Sequence, residues 1–352
     1  MSNKNYTFSV NVSNRIKAIA IIGIVFYHMI SCSPDFVEQF GIKSLLMDRE
    51  LLMYVSDLGK IFVSVFVFIS AYGICVGLNS KKDIGDYLTK RIKKLYFSYL
   101  VVFLLVQLYA CFNVFVLGRN RWAGTTYAHE NVMMSIVYFI VDALGLSSAF
   151  GTPDFCRTWW YMSIAFALIG IIPIMKKLYD KYDLGFVAIM VVSVAYFFRM
   201  TALSRYLLVI MFGIMCAKHH TFEKWNEKHK LLKYLLGIFV LILCITARYE
   251  FSKNYMFDAV ATVVICYLIY SWTQFLGPIN KGLEFIGKHS MNIFLVSTPV
   301  YSYFFKNLTY ISSNWAVCVF VCMVYSIVIS ILIEWLKKQI LKIKSINQLV
   351  ND

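Results

Sequence analysis

The sequence predicts an all-α fold: a polytopic transmembrane helical bundle of about ten spanning helices plus one non-spanning extracytoplasmic helix. Of the 352 residues, 60% are hydrophobic and only 15% are charged, whereas about a quarter of the residues in a soluble domain are charged. The apolar residues form long uncharged runs, such as 97–118, and about 20 such residues cross a bilayer as a helix. The 24 Tyr and 29 Phe also fit, because aromatic rings favour the membrane interface.

Apolar segments lie near 15–33, 56–78, 96–118, 133–149, 158–175, 184–198, 203–217, 234–247, 257–276, 290–306 and 314–336. Basic residues cluster in the intervening stretches 79–95, 176–182, 218–233 and 277–289, and again after Glu334. Loops rich in Lys and Arg are typical of the cytoplasmic side. We therefore expect these stretches to be cytoplasmic, together with both termini.

The segment 133–149 decides the number of spans. Topologies counted from the two ends of the chain agree only if this segment does not cross the membrane. It is short, carries Asp142 and ends in Gly145 and Ser147. We therefore expect an extracytoplasmic re-entrant or amphipathic helix here. Residues 1–345 are predicted to form a single membrane domain, and 346–352 a short cytoplasmic tail.

The net charge of +15 would suggest nucleic-acid binding in a soluble protein, but here the basic residues follow the pattern of cytoplasmic loops. We expect membrane lipids and no nucleic acid as partners. The nine Cys are scattered singly and form no CxxC, so neither a disulfide framework nor a metal site is predicted. A transporter built from inverted repeats would show a pair of broken helices in matching halves of the sequence. The sequence shows no such pair.

His28 is the one histidine of six that falls within a predicted span. It lies about 16 Å along the helix axis from Lys17, past the bilayer centre towards the outer side. A neutral imidazole can act as a general base, although a histidine that only hydrogen-bonds a neighbouring helix is an equal alternative. The other charges at membrane edges are interpreted mostly as snorkelling or interface residues: Lys60, Arg199, Arg205, Arg248, Asp258 and Glu334.

Six short motifs follow one another along the chain. Lys17 and His28 are separated by ten residues, 66–73 reads FVFISAYG, and 90–96 reads KRIKKLY. Further on, 158–162 reads TWWYM, 212–218 reads FGIMCAK, and 285–295 reads FIGKHSMNIFL. In this order they resemble the acyltransferase-3 family of bacterial integral membrane acyltransferases, which includes polysaccharide O-acetyltransferases. Ser297 or Thr298 stands where that family often has a late histidine.

The resemblance implies transfer of an acyl group, most often acetyl, from cytoplasmic acyl-CoA to a hydroxyl of a cell-surface polysaccharide or its lipid-linked precursor. It implies a location in the bacterial inner membrane, with acetyl-CoA as co-substrate and no permanently bound cofactor. His28 would serve as the base or carry the acyl group. Lys17, on the same helix, is a further catalytic candidate, and Lys90, Arg91 and Lys94 are candidates for binding the donor. Lys17, Ser70, Tyr72 and Arg205 are candidate oxyanion donors or substrate contacts, and Trp159 and Trp160 a sugar platform or an interface anchor.

Two other functions fit the composition. A transporter or flippase for a lipid-linked saccharide would explain the basic loops and the intramembrane polar groups, although not the ordered motifs. A membrane-bound O-acyltransferase of the MBOAT type is a third alternative, but the sequence lacks the late Asn and His pair that it needs. The basic stretch 90–94 also has a simpler explanation, since cytoplasmic loops are basic for topology alone.

Overall fold

The computed structural model describes residues 8–81, 83–118, 125–196, 203–225, 230–251 and 255–343. Every secondary-structure element within these ranges is a helix, apart from a single parallel bridge between Lys43 and Asn314. The predicted all-α fold is therefore confirmed. Arg199 and the predicted tail 346–352 lie outside the described residues.

The helices are α1 (Val10–Ile30), α2 (Pro34–Gln39), α3 (Arg49–Asp57), α4 (Ile61–Ser80), α5 (Ile84–Phe115), α6 (Val132–Ala143), α7 (Ser147–Phe150), α8 (Trp160–Tyr196), α9 (Leu207–His219), α10 (Thr221–Trp225), α11 (Lys230–Glu250), α12 (Tyr255–Trp272), α13 (Ile279–Thr298), α14 (Lys306–Thr309) and α15 (Trp315–Ile340). Short 3₁₀ turns precede α4, α8 and α9, and a π-helix (Pro299–Phe304) follows α13.

Six helical stretches of the described chain are long and apolar enough to cross a membrane. They are Val10–Ile30, Arg49–Ser80, Ile84–Phe115, Arg157–Val194, Leu231–Glu250 and Trp315–Ile340. The count of about ten spans stays a prediction. Within α8, Asp183 has a non-helical backbone with φ 46°, so the helix is broken between the segments 158–175 and 184–198 that the sequence separates.

Helix α6 has the length expected of a non-spanning helix. Its 12 residues rise about 18 Å, against about 30 Å for the hydrocarbon core. Asn131 caps its first turn by accepting a hydrogen bond from the Met133 amide at 2.9 Å. Gly145, with φ 71°, turns the chain directly after the helix. Few residues other than glycine adopt a positive φ without steric strain.

The described chain forms two compact units that interleave in sequence. The first comprises Met1–Tyr27, Tyr54–Lys82 and Leu168–Lys288, and its contacts are densest between α4 and α9 and between α11 and α12. The second comprises the described residues within His28–Met53, Asp83–Ala167 and His289–Asp352, and in it α15 packs on α5 and on the π-helix. Whether the chain is one functional domain, as the sequence predicts, stays a prediction.

Glycines set the closest helix approaches in the first unit. A Cβ placed on Gly213 of α9 would lie 2.8 Å from the Cβ of Ala71 and 2.9 Å from the carbonyl oxygen of Phe68, both on α4. A Cβ on Gly287 of α13 would collide with the backbone carbonyl of Asn14 on α1. Small residues of this kind let helix backbones touch in membrane proteins.

We predict that Gly287→Ala destabilises the protein, whereas Gly282→Ala on the same helix does not. A Cβ at Gly282 has no atom within 4 Å, so both variants share the helix-propensity gain of about 0.5–1 kcal/mol. Only Gly287→Ala adds an overpacking cost of about 1–3 kcal/mol. Thermal unfolding of the two variants in detergent measures the difference. Equal melting temperatures would show that the α1–α13 approach tolerates a side chain.

Candidate functional site

His28 lies in the last turn of α1, and hydrogen bonds hold the backbone around it. The Ser33 hydroxyl donates to the carbonyl oxygen of His28 at 2.9 Å, and the Tyr310 hydroxyl donates to that of Met29 at 3.2 Å. Beyond the helix, the Ser31 hydroxyl donates to the Met53 carbonyl at 3.0 Å. The first two bonds satisfy carbonyls that the end of α1 leaves open, and all three anchor the segment that carries the half-buried His28 side chain.

Two of the sequence motifs meet in the second unit. The Thr158 hydroxyl donates to the Thr298 hydroxyl at 3.1 Å, and the Trp159 indole N–H donates to the Leu295 carbonyl oxygen at 2.9 Å. The TWWYM motif at the start of α8 is thereby bound to the end of α13. Ser297 is 3% exposed and Thr298 is 4% exposed, and a buried hydroxyl at either position, where the late histidine was expected, offers no neutral-pH base.

Trp159 is an interior residue of the second unit. Its side chain is 3% exposed and packs against the rings of Tyr99, Phe103 and Phe155, with centroid distances of 5.5, 5.8 and 6.2 Å. The sugar platform and the interface anchor would both need an exposed ring. Trp160 is half-buried and meets Tyr161 edge-on.

Asp142 is buried among hydrogen-bond donors from four parts of the second unit. Its side chain accepts from the Tyr127 hydroxyl at 2.5 Å, the Ser147 hydroxyl at 3.0 Å and the Phe155 amide at 2.8 Å, while its backbone carbonyl accepts from Tyr99 at 2.7 Å. Burial raises the pKa of Asp142 above its usual value, and these hydrogen bonds offset part of that rise. Asp142 thus ties α5, the segment before α6, α7 and the segment before α8 together.

Asp154 lies near this network. Burial, together with the negative charge of Asp142, raises its pKa to about 6. In the sequence, Asp142 marked the segment 133–149 only as unsuited to crossing the membrane. The position of an aspartate in an apolar segment was therefore the one sign of this network in the sequence. It did not identify the residues that hydrogen-bond to Asp142.

The basic donor-binding candidates lie near the beginning of α5, in the second unit. Lys90 forms an ion pair with Asp86 at 3.1 Å. Arg91 donates to the Tyr87 hydroxyl at 2.7 Å, with its guanidinium 5.5 Å from the centre of that ring. Lys94 is exposed. Lys94 therefore presents its charge to the surroundings most openly.

A second polar network, which the sequence did not predict, joins α13 and α15. The buried His289 imidazole lies with its Nδ1 2.8 Å from the Ser330 hydroxyl. Glu334 accepts from Asn292 at 2.9 Å and from Lys337 at 2.6 Å. Glu334 is thus a bridging group and not only an interface residue.

The remaining candidates lie in the first unit. Tyr72 of α4 is 5% exposed and packs 4.4 Å from the Phe8 ring and 6.4 Å from the Phe222 ring, measured between centroids. Ser70 is half-buried on the same helix, Lys17 is half-buried on α1, and Arg205 lies in the 3₁₀ turn before α9. The predicted residues are thus divided: the second unit holds His28, Lys90, Arg91, Lys94, Trp159 and Trp160, and the first holds Lys17, Ser70, Tyr72 and Arg205.

Among the described residues, no group of three His, Cys, Asp or Glu side chains is placed to hold a metal ion. Comparison with curated proteins and with solved structures found no significant match. A family model described as an acyltransferase domain matches residues 13–335, a stretch that contains all six motifs. The chain is therefore a multi-pass membrane acyltransferase and belongs to the acyltransferase-3 family.

Proposed function

We propose that the protein is a bacterial inner-membrane O-acyltransferase that moves an acyl group, acetyl in the first instance, from cytoplasmic acyl-CoA to a hydroxyl of a cell-surface polysaccharide or its lipid-linked precursor. The observation that supports this most is the position of His28. His28 lies in the last turn of α1, an uninterrupted helix that also carries Lys17. The family match covers residues 13–335, nearly the whole chain. The termini are proposed to be cytoplasmic.

The proposed reaction needs one base. The acceptor hydroxyl oxygen attacks the thioester carbonyl carbon while His28 takes the hydroxyl proton. The tetrahedral intermediate then collapses, the carbon–sulfur bond breaks, and the CoA sulfur leaves with the proton that His28 returns. In the alternative route, a ring nitrogen of His28 attacks the thioester carbonyl carbon, the carbon–sulfur bond breaks, and CoA leaves as the thiolate. The acceptor hydroxyl then attacks the acyl-imidazole, the carbon–nitrogen bond breaks, and the hydroxyl proton neutralises the thiolate.

The oxyanion that forms on the thioester carbonyl needs a hydrogen-bond donor or a positive charge. Lys17, Ser70, Tyr72 and Arg205 remain the candidates. Tyr72 is the least accessible of them, because its ring is enclosed by Phe8 and Phe222. The cationic side chains of Lys17 and Arg205 would stabilise the developing charge more strongly than a neutral hydroxyl.

The donor would bind at the cytoplasmic end of α5. Arg91 and Lys94 carry the charge that CoA phosphates require, and Arg91 can bind a phosphate through two N–H groups at once. Lys90 is the weaker candidate, since its ammonium is paired with Asp86. The predicted topology brings this helix end to the compartment that contains acyl-CoA.

We predict that His28→Ala and His28→Gln each lower acyl transfer by about 100-fold or more, because general-base catalysis contributes roughly 10²–10⁴ in rate. The measurement is incorporation of radiolabel from acetyl-CoA into de-O-acylated polysaccharide by purified, normally inserted protein. His129→Ala, at an exposed histidine outside the helices, is the matched control. Undiminished transfer by both His28 variants would refute the catalytic role of His28. The absence of transfer by the wild type would favour the flippase alternative.

We predict that the double variant Arg91→Gln and Lys94→Gln raises KM for acetyl-CoA roughly tenfold, as expected when two charge-assisted contacts are lost, with little change in kcat. The control removes the same charge from the exposed Lys338 and Lys342 near the end of α15, also on the predicted cytoplasmic side. An equal KM in the two double variants would mean that 90–94 is basic for topology alone.

A further inference from the structure

Four charged side chains of the first unit gather where α3, α11 and α12 meet the beginning of α4. We call them the Arg248 cluster: Asp57, Lys60, Arg248 and Asp258. The Arg248 Nε atom lies 3.2 Å from Asp258 Oδ1, and its Nη2 atom lies 3.9 Å from Asp57 Oδ2. Lys60 interacts electrostatically with Asp258. Arg248 is 1% exposed and Asp258 is 5% exposed, so the snorkelling interpretation of these two residues was wrong.

Hydrogen bonding within the Arg248 cluster is incomplete. Among the described residues, no group hydrogen-bonds the Nε, Nη1 or Nη2 atoms of Arg248, the Oδ2 atom of Asp57 or the Oδ1 atom of Asp258, and all five atoms are buried. Buried charges that are paired without good hydrogen bonds are costly. Ionisable groups that a membrane protein nevertheless retains usually serve its function.

Apolar and aromatic side chains lie around the described part of the cluster. Ile61, Cys244 and Ala261 form a buried apolar core between α4, α11 and α12, which closes the cluster on that side. Tyr54 and Tyr249 stack with ring centroids 4.1 Å apart, and Tyr249 interacts with Asp57 and Arg248. Tyr54 is 40% exposed and the Asp57 side chain is 22% exposed, so these two residues connect the cluster to the outside.

The chemistry of the exposed and buried groups selects one class of ligand. The two carboxylates repel an anion such as a phosphate, and the guanidinium and ammonium repel a cation. A hydroxyl group suits both, because it donates to a carboxylate and accepts from a guanidinium. The exposed face of the Tyr54 ring adds an apolar surface, against which the C–H groups of a sugar ring can pack.

We propose that the Arg248 cluster and Tyr54 form a binding subsite for a neutral sugar residue of the acceptor glycan. Its hydroxyls would bond to Asp57 first, and to Arg248 and Asp258 once the Tyr54–Tyr249 pair opens. This inference rests on the proposed function. The predicted topology agrees with it, because α4 begins, α11 ends and α12 begins on the extracytoplasmic side, where a surface glycan is found.

The test measures glycan binding apart from catalysis. The probe is the envelope polysaccharide of the source bacterium, freed of O-acyl esters by mild alkali, and it is titrated without acyl-CoA onto full-length protein in lipid nanodiscs. Tyr54→Ala and Asp57→Asn should each weaken binding about tenfold, the effect of losing one good contact. Both sites are partly exposed, so these variants are expected to fold, which an unchanged melting temperature would verify.

Tyr182→Ala is the matched control, because Tyr182 is a tyrosine of the same unit that is 52% exposed. Its binding should equal that of the wild type, and KM for acetyl-CoA should be unchanged in all three variants. The subsite is refuted if the wild type does not bind the polysaccharide, if Tyr54→Ala and Asp57→Asn bind as well as the wild type, or if Tyr182→Ala weakens binding equally.

The two proposals fail in different ways. Polysaccharide binding that depends on Tyr54 and Asp57, without any acyl transfer by the wild type, would refute the proposed function and leave the sugar subsite standing. Acyl transfer with an unaltered KM for the polysaccharide in both variants would do the reverse.

Discussion

A backbone amide in hydrocarbon has no water to bond to, so a chain that crosses a membrane must satisfy its backbone hydrogen bonds internally, as the helices of this chain do. Once the helices have formed, lipid is as apolar as their side chains, and close packing and a few polar contacts must hold them together. The first unit uses backbone approaches at Gly213 and Gly287. The second uses hydrogen bonds, with Thr158 and Trp159 bound to the end of α13.

The same constraint explains which parts of the fold could be predicted from the sequence. A spanning helix needs a long uncharged run, which is a local property. The segment 234–247 falls inside α11, and the segment 314–336 begins one residue before α15. The short α6 was recognised from Asp142 and the glycine that follows. The sequence did not show that α8 continues through the basic stretch 176–182 and breaks at Asp183. A short basic stretch between two apolar segments has the same composition whether it forms a helix or a loop.

Only those features of the candidate site that depend on local motifs could be predicted from the sequence. The spacing from Lys17 to His28 fixes their separation along α1, whatever the rest of the chain does. Whether an aromatic or charged residue near a membrane edge faces lipid, water or another helix depends on which helix packs against it. Trp159 and Arg248 therefore could not be distinguished from surface residues, although both are nearly fully buried.

The hydrogen bonds of Asp142 and Trp159 also impose an order on assembly during synthesis. Every hydrogen-bond partner described for Asp142 lies between Tyr99 and Phe155, so that network can close as soon as Phe155 has left the ribosome. Trp159 must wait for Leu295, about 140 residues later, which at 5–20 residues per second takes roughly 7–28 s. During that interval the beginning of α8 is held on one side only, and the nascent chain depends on lipid or the insertion machinery to shield it.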